Sequence, residues 1–212
     1  MRGDCVPKQT FFNLPKQKQD TLIQSAINEF SRVPLHEASI ANMIHEANIA
    51  RGSFYQYFED KEDVFYYILD THAKQAQDQL IYYLRVHAYD LFKAIPEMFT
   101  WLLEKFHKGN SRCFFKHAFL HMNVRVEETF SSRIRKAEIQ QEYKKLIDGI
   151  DKTPLDYDTL EELHHIIELV FSITMHNVVH SFAKDVTLEQ AIRNFNTQFT
   201  YLQKGVLKND YV

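Results

Sequence analysis

Apolar side chains recur along this chain at intervals of three and four residues, the period of helices that each bury one face. Leu22, Ile23, Ala26, Ile27 and Phe30 make the first stripe, with Pro15 at the N1 position of the helix and Pro34 beyond its end. Ile40, Met43, Ile44 and Ala47 make the second, and Ser39 stands before them as an N-cap. Asn48 follows, one of the few residues besides Gly that accepts the left-handed conformation in which many helices close, so the chain turns there. Ile49 then returns to the core, and Ala50 to Tyr57 begin another helix. Acids from Glu59 to Asp63 open a long fourth helix, where they favour the helix dipole, and Val64, Phe65, Ile68, Leu69 and Leu80 lie on its buried face. Further breaks are expected at Pro96, Gly109 to Ser111, Met122 to Val124, Gly149 to Pro154 and Asp185 to Thr187.

No short run alternates apolar and polar residues as a half-buried strand would. The pattern therefore predicts an all-α fold of about nine helices. A three-helix N-terminal head spans residues 16–76, with a helix-turn-helix at 39–58, and the long fourth helix joins it to a body at 77–212.

The last two helices carry more apolar surface than one core needs. From Leu160 to Phe182 the apolar band is too wide for a single stripe, and Leu188, Ile192, Phe195, Phe199, Leu202 and Val206 follow in steps of four and three. A four-helix bundle shared by two copies covers both surfaces, with Phe171, Met175, Val178, Val179, Phe195, Phe199 and Leu202 at the interface; a core completed within one chain is the other solution.

Composition changes little. With 212 residues, 45% hydrophobic and 25% charged, the chain suits one large or two small globular domains. No stretch approaches ~18 uninterrupted apolar residues, and MRGDCVPKQT lacks the apolar centre of a signal peptide, so a cytoplasmic protein is expected, with no membrane partner. Cys5 and Cys113 are too few for a disulfide framework or zinc site.

Charge narrows the chemistry more. The net charge is −3, yet Arg2, Lys8, Lys16 and Lys18 face only Asp4 among the first nineteen residues. Nucleic-acid affinity depends on where cations lie, and these lead into the first helix. A recognition helix presents its N-terminal residues to base edges, which places Arg51 and Ser53 early enough to reach bases or phosphates, with Gln56 a second base reader. Gly52 costs ~1 kcal/mol against Ala inside a helix, a cost understandable where backbone approaches phosphate. Tyr55 and Tyr57 can pack on sugar and donate to phosphate, Lys61 can meet the backbone, and Phe54 and Phe58 extend the core face begun at Ile49.

Helix, Ala47-Asn48-Ile49 turn, ARGSFYQYF and then Lys61 together resemble the DNA-binding helix-turn-helix of the TetR family of bacterial transcriptional regulators, over about Lys16 to Gln75. Gly52, Tyr55, Phe58 and Lys61 stand in the family's order and spacing; Asn48 replaces the family's usual turn Gly, and both accept a positive φ. The resemblance implies a double-stranded DNA operator, contacted by Lys16, Lys18, Ser39, Arg51, Gly52, Ser53, Tyr55, Gln56, Tyr57 and Lys61. It implies a homodimer formed through the last two helices, repression, and a small apolar or amphipathic effector held in the body. Trp101, Phe115, His117, Phe119, His121, Tyr143 and Phe171 are the candidate pocket residues.

Eleven histidines raise a metal reading, since His117 with His121 and His176 with His180 lie one helical turn apart, but two ligands make no zinc site. HEASIA at 36–41 and HEANIA at 45–50 begin like H-E-x-x-H yet end in Ile, so the second ligand is missing. No catalytic motif, cofactor or metal is expected. The competing function is an all-helical small-molecule or metal-binding sensor or carrier that leaves DNA alone.

Overall fold

The computed structural model describes residues 7–120, 145, 148–184 and 186–211. Among them are nine α-helices, no strand and one isolated bridge between Leu155 and Leu207. The helices are α1 (Gln9–Phe12), α2 (Lys16–Arg32), α3 (Ile40–Glu46), α4 (Arg51–Tyr57), α5 (Lys61–Val86), α6 (Leu91–Phe106), α7 (Gly109–Leu120), α8 (Leu160–Ala183) and α9 (Leu188–Val206), followed by a 3₁₀ turn at Asn209–Tyr211. The all-α expectation stands. The break read at Met122 to Val124 and the pocket candidates His121 and Tyr143 lie outside the described residues.

Two compact units divide the chain, residues 7–75 with 108–120, and residues 76–107 with the described residues from 145 onward. In the first unit the stripe Leu22, Ala26 and Phe30 of α2 is buried, with Met43 of α3 and Phe54 of α4. Phe30 meets Phe65 edge-on at 5.2 Å between ring centroids, and Phe65 lies 5.5 Å from Phe114. Phe114 belongs to α7, which the sequence places in the body; its packing on α2 joins it to this unit.

In the second unit Phe99 of α6 stacks on Phe195 of α9 at 3.9 Å, and Phe92 lies 5.5 Å from Phe199. Thr159 and Glu162 form a capping box at the start of α8, each satisfying a backbone N–H of the other. Asn177 of α8, itself buried, donates to Gln198 of α9 at 2.9 Å and fixes the pairing of these helices. Helix α8 is long and apolar enough to cross a membrane by length and composition, with under half of its most apolar window buried.

Pro96 does not break the chain but lies inside α6. The break falls earlier, where Ala88 and Tyr89 adopt φ of 52° and 65° and Asp90 caps α6 by accepting from the N–H of Phe92 and Lys93. The helix continues through this proline, whose missing N–H removes one helical hydrogen bond. At the other end of the chain, Pro15 is the N-cap of α2 and not its first helical residue.

Candidate nucleic-acid interface

The turn between α3 and α4 is closed by backbone alone. Asn48 takes φ 50°, its N–H donates to His45 O at 3.2 Å, and the N–H of Ile49 donates to Ile44 O at 3.0 Å. This paired bonding is the Schellman closure, which requires a left-handed residue where Asn48 stands. Helix α4 then starts at Arg51 and presents two faces. Phe54 and Phe58, one turn apart, are fully buried. Arg51, Gly52, Tyr55 and Gln56 form an exposed stripe on the other side, with Ser53 and Tyr57 half-buried at its flanks. Arg51 has no ion-pair partner among the described residues, so its charge is available to an outside group. A Cβ added to Gly52 meets nothing within 4 Å, so no neighbour in the chain requires glycine there.

Ser39 precedes α3 as expected, but its side chain makes no capping bond. The cap comes from Glu29, a carboxylate only 4% exposed, which accepts the N–H of Ser39 at 2.8 Å, both Asn42 contacts at 3.2 Å, and a forked pair of bonds from Arg32. The Arg32 hydrogen bonds, ahead of the Ser39 N–H and Asn42, hold this carboxyl below its ordinary value against the opposing effect of burial. Glu29 falls on the same face of α2 as Leu22 and Ala26, where a buried acid needs a partner, and that placement is its only signal in the sequence.

Lys61 donates to the carbonyls of His36 at 2.8 Å and Ala38 at 3.0 Å, bracing the loop before α3. An ammonium has three donors, so one remains for a phosphate. Lys16 pairs with Asp20 at 3.0 Å, and this hydrogen bond raises its pKa, while Lys18 is exposed. The described cations of the head are thus few and partly committed, as the sequence charge implied.

The pocket candidates are not all in one unit. Phe115, His117 and Phe119 belong to α7 in the first, where Phe115 is buried and the Nδ1 of His117 lies 2.8 Å from Phe30 O. Trp101 and Phe171 belong to the second. There Trp101, Tyr83, Pro96 and Thr100, with the carboxylates Glu97 and Glu104, line an open cavity of about 310 Å³. Among the described residues no three metal-ligating side chains come together.

The proposed interface residues also separate. Phe195 and Phe199 are buried against Phe99 and Phe92 of α6, and Val178 of α8 is buried as well. Met175 remains exposed, while Phe171, Val179 and Leu202 are half-buried.

Comparison with known proteins agrees with this architecture. The family model described as bacterial regulatory proteins of the tetR family matches residues 22–68, and the one described as the tetracyclin repressor-like C-terminal domain matches residues 90–206. YdgC of Bacillus subtilis, an HTH-type transcriptional regulator, is 32% identical over 59 residues, which cover 27% of this chain and 30% of that relative's length. A TetR-family regulator from Syntrophomonas wolfei superposes with a TM-score of 0.65 at 18% identity, covering 89% of this chain and 95% of that one. The TetR-family regulator CifR, solved with a 26-base-pair operator duplex, superposes at 0.59 and 18% identity, covering 86% and 95%. With one family model over its helix-turn-helix and another over more than half its length, the chain belongs to the TetR family of bacterial transcriptional regulators.

Proposed function

We propose that the chain works in the cytoplasm as a homodimeric repressor that reads a pseudopalindromic operator with the Arg51 to Gln56 face of α4 and releases it when a small apolar or amphipathic effector binds the body. One observation carries this reading: an exposed stripe of a fixed charge, a bare glycine, a tyrosine and a glutamine on a helix whose opposite face is locked by Phe54 and Phe58. Arg51 and Gln56 have the donors for bidentate contact with guanine and adenine, respectively. Ser39, Ser53, Tyr55, Tyr57, Lys16, Lys18 and the third donor of Lys61 serve phosphates, and Gly52 lets backbone approach them. Residues 16–76 would form the DNA-binding domain and 77–212 the effector and dimerisation domain. The operator complex of the fold neighbour CifR supports the assignment.

Dimerisation would use the surface that α8 and α9 leave uncovered, Leu169, Met175 and Tyr201, the last 70% exposed. The effector would enter the cavity beside Trp101, whose rings and carboxylates suit an amphipathic molecule. Selection from a random duplex library tests the DNA assignment. Arg51→Ala and Tyr55→Ala should each weaken binding to the enriched duplex by tenfold or more with the fold intact, and unchanged affinity in both removes the assigned surface.

A further inference from the structure

Helix α4 has seven residues, too short to persist by itself, and its C-terminal end leaves carbonyls without intrahelical partners. Phe58 N–H takes the carbonyl of Phe54 at 2.9 Å. The remaining three are Tyr55, Gln56 and Tyr57, and each is taken by the N-terminal turn. Lys8 Nζ donates to Tyr55 O at 3.0 Å, Thr10 Oγ1 donates to Gln56 O, and Lys8 N–H donates to Tyr57 O at 2.8 Å. Phe11 anchors the turn. It is fully buried, 5.0 Å from Phe58 and 5.5 Å from Tyr67 between ring centroids. A cation at a helix C-terminus is also favoured by the dipole.

We propose that the turn from Lys8 to Phe11 is a positioning clamp for α4, in which Lys8 and Thr10 set the angle at which Tyr55 and Gln56 meet DNA. This rests on the DNA-reading function proposed above. The three clamped carbonyls belong to two residues of the reading stripe and its flanking tyrosine, so a small rotation of this end of α4 displaces the side chains that face the bases. Two of the three donors are side-chain groups and can be removed without touching the backbone. Lys8 and Thr10 act through α4 and need not touch DNA themselves.

The test uses full-length Lys8→Met with Thr10→Val, and Thr10→Ser as the conservative variant. Amide hydrogen exchange on the free protein should quicken about tenfold across α4 in the double variant while α2 keeps its protection. On a duplex enriched from a random library, the affinity ratio over a scrambled duplex should fall about tenfold, with the salt slope of binding unchanged and Thr10→Ser behaving as wild type. Unaltered α4 exchange overturns the clamp. So does a salt slope that drops by ~0.9 in the double variant with discrimination intact, since that is the loss of one phosphate contact. If the wild-type protein enriches no sequence, the DNA-reading function falls while the exchange result still decides the clamp.

Discussion

The carboxylate of Glu29, near the end of α2, holds the backbone N–H of Ser39, the residue before α3, at 2.8 Å. The bond ties α2 to the start of the helix-turn-helix ten residues later. Removing a buried carboxylate that serves several donors leaves those donors unpaired, a cost of about 2–4 kcal/mol. Glu29→Ala should therefore lower the melting temperature, whereas Ser39→Ala, with no side-chain cap to lose, should barely change it.

The same carboxyl titrates lower in the folded chain than in the unfolded one. Its contribution is thus fully present above the unfolded value, about 4.3 for Glu, and is lost as pH falls through the depressed folded value. Thermal melts between pH 7 and 3 should show the wild type losing stability below about pH 4.3 more steeply than Glu29→Gln.

Much of the head was legible in the sequence because its elements are local. The stripe at Ile40, Met43 and Ile44, the left-handed Asn48 and the buried pair Phe54 and Phe58 are each decided within a few residues. What escaped was non-local: Glu29 capping α3, Lys61 bracing the loop at His36 and Ala38, and Lys8 and Thr10 closing α4. Pro96 reads as a break in the sequence, yet it lies within a helix that begins at the Asp90 cap. Helical periodicity marks Phe195 and Phe199 as a buried face without saying which neighbour buries it, and within the chain both pack on α6.

Gly52 separates folding from function. Its Cβ would meet open space, so Gly52→Ala should raise helix stability by up to ~1 kcal/mol, roughly 2–4 °C in melting temperature for a chain of this size. Affinity for the enriched duplex should nevertheless fall tenfold or more, as measured by fluorescence anisotropy. A stabilised variant that binds normally would remove the close backbone approach.

Met175 and Phe195 separate assembly from the core. Met175, 54% exposed, should as Met175→Glu give monomers in analytical ultracentrifugation with melting of the protomer core retained. Phe195→Ala, by contrast, empties a stacked core position and should destabilise the chain by about 3–5 kcal/mol.

The central claim is that two copies of α4 read DNA together. Hydroxyl-radical footprinting of the wild-type protein on its enriched duplex tests this most directly. The account predicts two symmetric protected segments centred about one helical turn apart, ~34 Å, both lost together in Arg51→Ala and in Met175→Glu. A single protected segment, or a footprint that persists unchanged in Arg51→Ala, would contradict it.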